Sequence, residues 1–193
     1  MRQALLLSFL LLPGVAVAAP AKPAPAPKPA EPVRAPSMDE LFAQLKKAQS
    51  SEEAHPIEEK LAAMFRTSGS PSVDLLMTRA QAATAADDKA TARKLVDAVT
   101  AIAPTYAEGW RTRAEMENAA GNDTAALVSL QRAVLLNPRH FQALNQLGGM
   151  LEEYGDKSGA LKLYRRALAL DPQMEGAHRH VKSLTQTVEG RDI

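Results

Sequence analysis

The sequence predicts an all-α fold, a solenoid of helical hairpins with a shorter hairpin before it and one helix closing it. Three observations lead there. Pro104, Pro138 and Pro172 are spaced by 34 and 34 residues, a period that suits one helical hairpin per unit. Within the units those prolines mark, small and large apolar residues return at the same positions. Aromatic residues make up only 4% of the 193, which disfavours a β-sandwich or barrel.

In chain order, the first element is an address. Met1-Arg2 gives a positive start, Ala4 to Leu12 is an apolar run with six leucines, and Pro13-Gly14 breaks it before small residues from Val15 to Ala19. This is the pattern of a secretory signal peptide over residues 1–19, cleaved after Ala18 or Ala19. It predicts a periplasmic or secreted protein. The run is too short and too broken for a membrane span of about 20 residues, and with no cysteine there is no site for a lipid anchor. Residues 20–36 then alternate proline with alanine and charged residues. Proline fixes φ and removes donors, so the segment reads as an extended spacer of roughly 50 Å. Lys22, Lys28 and Arg34 would suit a proline-binding domain or a cell-wall polymer, but a solvated leader is the simpler reading.

The helices start at Ser37. Ser37 and Glu40 form a capping-box pattern, and Met38, Leu41, Phe42 and Leu45 follow at helical spacing. A second helix is expected to begin near Pro56, with Ile57, Leu61, Met64 and Phe65 on its apolar face and Thr67 to Pro71 ending it. Together these make a hairpin over 37–68 that caps the solenoid. Lys46 and Glu58 stand where a repeat would place small residues, so it is not a fourth unit.

The units run 73–106, 107–140 and 141–174. Position 8 is Ala80, Ala114, Gly148 and position 20 is Ala92, Ala126, Ala160, small enough for two helices to approach closely. Position 24 is Val96, Leu130, Tyr164, large and apolar, and position 27 is Val99, Ala133, Ala167. Gly121 and Gly155, both at position 15, suit a left-handed cap between the helices. The proline at position 32 stops the second helix. Over 175–189, His178, Val181, Leu184 and Thr185 recur at helical spacing and predict a capping helix, because a solenoid otherwise leaves an apolar end exposed.

These residues resemble the tetratricopeptide-repeat (TPR) family. The third unit matches through Leu144, Leu147-Gly148, Ala160, Tyr164, Ala167 and Pro172, and the second through Trp110, Ala114, Ala126, Leu130, Ala133 and Pro138. The first is carried by Leu76, Ala80, Ala92, Val96 and Pro104. Two positions depart from the family pattern. Position 7 is Arg79 and Arg113, and position 11 is Ala83, Glu117 and Leu151. Arg113 and Glu117, one turn apart, are either an exposed helix pair, the simpler reading, or part of a polar layer between units.

The resemblance implies a concave groove lined by positions 2, 5, 9 and 12 of each first helix. Carried over, these are Asp74, Met77, Gln81 and Thr84, then Glu108, Arg111, Glu115 and Asn118, then Gln142, Asn145, Gly149 and Glu152. Such a groove is polar and more acidic than basic, with Arg111 near its centre and a gap at Gly149. TPR proteins that bind a C-terminal carboxylate use lysine and asparagine at fixed groove positions. Arg111, Asn118 and Asn145 match that set only in part, and the neighbouring acids would repel a carboxylate, so that function is not carried over.

Composition excludes much else. Without cysteine there is no disulfide scaffold, thiolate zinc site, cysteine nucleophile or iron–sulfur cluster. Residues 37–193 hold 19 basic against 21 acidic side chains, which argues against nucleic acid as a partner. There is no phosphate-binding glycine loop, no G-x-S-x-G elbow, no H-E-x-x-H and no dinucleotide fingerprint. His178 and His180 are two apart on a helix and point apart, so they cannot share a metal. The sequence therefore predicts a non-enzymatic module with no cofactor or metal, exported to the cell envelope, that binds a protein or peptide. The alternative is a structural component that self-associates to organise envelope or cell-wall proteins.

Overall fold

Nine α-helices and no strand make up the described residues, 34–190 of a computed structural model. The expected leader (1–19) and the spacer up to residue 33 lie outside the described residues. Every helix among the described residues belongs to the unit Ala35–Ile193. They are α1 (Met38–Leu45), α2 (Ser51–Arg66), α3 (Pro71–Ala85), α4 (Lys89–Ile102), α5 (Ala107–Ala119), α6 (Asp123–Leu136), α7 (Phe141–Glu153), α8 (Lys157–Leu170) and α9 (Glu175–Glu189).

Helices α3–α4, α5–α6 and α7–α8 pair as antiparallel hairpins. Their turns share one design. The first helix ends in a left-handed residue, Asp87 (φ 58°), Gly121 (φ 74°) or Gly155 (φ 86°). In the first two hairpins, paired backbone bonds close the end, such as Asp88 N–H to the Ala83 carbonyl at 2.8 Å. Asp88 and Asp156 then cap the second helices by accepting from the Thr91 and Gly159 amides. Inside each hairpin a small residue faces a larger one. All the residues at positions 20, 24 and 27 are buried. Where position 24 is tyrosine, position 8 is glycine, and a Cβ on Gly148 would stand only 3.1–3.2 Å from the Tyr164 ring.

Between the first two hairpins lies a polar layer. Glu117 is 2% exposed and accepts from Arg93 of α4 (2.6 Å) and from Asn122 (3.0 Å). Arg113 turns to Asp97 of α4 at 3.1 Å and stays 3.9 Å from Glu117. The expectation of an exposed Arg113–Glu117 pair is therefore corrected. A carboxylate without water must find cations, and α4 supplies one across the interface. At the other end α9 packs Ala177 and Leu184 on Ala160, Leu161 and Tyr164. Ala177, not the exposed His178, occupies the buried face.

The N-terminal hairpin departs from expectation twice. First, α2 starts five residues before Pro56, at Ser51. Ser50 Oγ accepts the Glu53 amide (3.4 Å) and Glu53 accepts the Gln49 amide (2.9 Å). This cap outweighs the one bond that proline removes from the helix interior. Second, the hairpin does not cover the α3 end, where Leu75, Thr78, Arg79 and Ala82 stay exposed. It lies along the turns that precede α5, α7 and α9. Phe42 and Phe65 enclose Phe141, with ring centroids 6.4 and 6.0 Å away, and Phe65 stacks on His140 at 4.5 Å. Tyr106 donates to the Arg66 carbonyl (2.7 Å), Gln173 donates to the Ala48 carbonyl (2.8 Å), and Arg139 pairs with Asp39.

One contact in this seam should respond to pH. Glu58 of α2 hydrogen-bonds Asp171, which is 1% exposed at the end of α8. Burial and the Asp171 charge push the Glu58 carboxyl up to about 7, against a smaller opposing effect of His55. Burial likewise raises Asp171, opposed by the Gln173 amide and His178. When the hairpin lifts, Glu58 returns to its ordinary 4.5, so the docked state binds the extra proton. Docking should be strongest below that value and weaken as pH rises through about 7. Hydrogen-exchange protection of α1–α2 is expected to be higher at acid pH than at alkaline pH, and Glu58→Gln should flatten that difference.

Candidate functional site

The first helices α3, α5 and α7 bring most of the expected groove residues to one face, but in three different conditions. In the first repeat, Asp74 accepts the Ser68 amide (2.8 Å) and so fastens the turn before its own helix. Met77 is 4% exposed and packs with Val73, Val99 and Tyr106, so it is a core residue that reaches the groove only at the floor of a cleft. Thr84 donates back to the Ala80 carbonyl. Gln81 is exposed beside a cleft of about 220 Å³ whose opposite wall is Arg66 and Thr67 at the end of α2. The N-terminal hairpin thus forms one bank of the groove.

The second repeat holds a closed charge network. Arg111 binds Glu108 with both ends of its guanidinium, Nε to Oε2 at 2.8 Å and Nη2 to Oε1 at 2.7 Å, and also pairs with Glu115. Glu108 meets His140 Nε2 at 2.8 Å. His140 is fully buried, and its Nδ1 accepts the Ala143 amide (3.4 Å), which leaves the Nε2 proton for Glu108. Burial pushes the Glu108 carboxyl up, but hydrogen bonds from Arg111 and His140 together with the Arg111 charge overcome it and hold it down at about 2. Arg111 is raised in turn: burial opposes its charge and Glu108 and Glu115 more than restore it. Gln146 of α7 donates to Glu115 at 2.9 Å and carries the network into the third repeat.

In the third repeat, Gln142 lies beside α2, at the edge of a cleft of about 720 Å³ lined by His55, Glu59 and Ala62. Asn145 is half-buried, and its Oδ1 is shielded from solvent without a donor among the described residues. Glu152 is held by His180 (2.7 Å) and the Tyr164 hydroxyl (3.1 Å), with His180 stacked on Tyr164 at 4.7 Å. It therefore anchors α9. The face left open is a cleft of about 170 Å³ between α5 and α7, bounded by Glu115, Asn118, Gln146, Gly149 and Glu153. His140, Gln146 and Arg66 were not foreseen. His140 falls at the last position of a repeat, normally a turn, and Arg66 reaches the groove only because of where α2 docks.

The network predicts strong coupling. Glu108→Ala and Arg111→Ala should each lower stability by about 3–5 kcal/mol, since either leaves a buried partner uncompensated. The double variant should lose clearly less than the sum, read from denaturant unfolding.

No protein-family model matches the chain. It is 29% identical over 153 residues to a TPR repeat-containing protein of Rhizobium etli, covering 79% of this chain and 75% of that protein. Among solved structures it is similar to the Sgt2 TPR domain of Aspergillus fumigatus, with TM-score 0.55, 22% identity, and 62% and 81% of the two chains covered. The first TPR of Spaghetti (RPAP3), bound to the HSP90 peptide SRMEEVD, gives TM-score 0.56 at 18% identity over 61% and 93%. The Yersinia enterocolitica secretion chaperone SycD, in complex with a peptide of the translocator YopD, gives 0.55 at 12% over 61% and 95%. With the paired helices above, these likenesses show the fold: a TPR-type helical-hairpin solenoid.

Proposed function

We propose that this chain is a non-catalytic binding module of the cell envelope that holds a protein or peptide in its concave groove. The observation that carries the reading is the fixed polar network that runs from buried Glu108 and Arg111 out to Glu115 and Gln146, beside which clefts stay open. Side chains locked before a partner arrives need no ordering on binding. The peptides held by the Spaghetti and SycD structures support a peptide or protein as the ligand. The acidic HSP90 peptide is a poor guide to ligand charge, because Arg111 is already committed to Glu108 and Glu115. Export rests on the leader pattern of residues 1–19. Among the described residues no helix is long and apolar enough to cross a membrane. Ile102 and Leu135, 64% and 70% exposed on second helices, favour a second reading, self-association through the convex face.

Photo-crosslinking residues placed at Gln81 and Asn118 should each capture a partner in cells, while one at exposed Arg132 on the other face should not. Adducts from Arg132 alone, or only between copies of this chain, would replace the groove reading with self-association. The mature protein should begin after Ala18 or Ala19. A cytosolic chain that keeps Met1 would end the claim of export.

A further inference from the structure

We infer that the cleft between α5 and α7 receives a lysine or arginine side chain from the partner's extended segment, so that the partner is basic where it crosses the groove. The inference rests on the groove reading and adds the chemistry of the occupant. The floor of the cleft is apolar: Ala114, Leu130 and Met150 are 1%, 4% and 6% exposed. Its rim carries Glu115 and Glu153 and no cation. The nearby cation, Arg111, sets one positive charge against the two carboxylates of Glu108 and Glu115 that it pairs with, so with Glu153 the rim keeps a net negative charge. An apolar shaft under an acidic rim suits a long side chain with a charged tip, whose methylenes pack below while the head stays at the mouth.

A guanidinium or ammonium brings several donors and no acceptor to that mouth. A carboxylate head would instead face the acids of the rim.

The variant that isolates the cleft is Gly149→Leu. A Cβ at Gly149 meets only the Tyr164 hydroxyl, at an ordinary 3.6 Å, so a side chain can start there without a clash at its first carbon. Far-UV circular dichroism and the melting temperature should match the parent. Glu153→Lys reverses charge at an exposed rim position. The experiment selects a displayed library of random twelve-residue peptides on the full-length chain and compares binding of the selected peptides to the parent and to both variants. Peptides rich in lysine or arginine are expected, with affinity falling roughly tenfold or more on Gly149→Leu and on Glu153→Lys. Neutral or acidic peptides that Gly149→Leu also displaces would overturn the basic occupant and leave the groove reading standing. Peptides that neither variant displaces, or none at all, would overturn both.

Discussion

How close the two helices of a hairpin can come is decided by a small residue on the first facing a larger one on the second. Gly148 meets Tyr164, Ala114 shares a core cluster with Leu130, and Ala80 and Val96 are buried at the same two positions. The pairs differ in size but are matched: as the second partner grows to tyrosine, the first shrinks to glycine. Side chains so packed cannot slide without leaving voids or overlaps. That contact holds the first helices in place, and the first helices carry the groove.

Buried charge does a different job. Glu117 and Glu108 sit where a hydrophobic residue would give an apolar contact between repeats, yet each is completed from outside its own helix, by Arg93 of α4 for one and by His140, just before α7, for the other. Apolar faces tolerate many angles, whereas a carboxylate that must reach particular donors tolerates few. These networks tie the repeats at defined positions, and they withdraw Arg111 from service as a ligand contact.

The hairpins were legible in the sequence because their determinants are local. Proline at 34-residue spacing, small residues at fixed positions and Gly121 and Gly155 in left-handed turns all act within a few residues of themselves. The Ser50–Glu53 cap was equally local but was hidden by the more conspicuous Pro56. The seat of the N-terminal hairpin was not legible. It depends on Phe141, His140 and Tyr106, which the repeat register assigns to turns and helix starts, meeting Phe42, Phe65 and Arg66 from far along the chain. Groove positions could be named from the register, but not their state. Met77 and Glu152 share a face with Gln81 and Asn118 by spacing; only packing shows that the first is sunk to a cleft floor and the second is an anchor for α9.

A stack of repeats usually behaves as a one-dimensional chain in which each unit feels only its neighbours, so ends fray and folding can start anywhere. The N-terminal hairpin breaks that rule. It grips the turns before α5, α7 and α9 together, through contacts as distant in sequence as Ala48 and Gln173. Loosening any one of these turns weakens the seat of a helix pair that also holds the others. The solenoid is thereby converted from a row of independently breathing units into one cooperative body. Synthesis runs against this arrangement: α1 and α2 leave the ribosome first, yet the surface that receives them is complete only when the last repeat has folded.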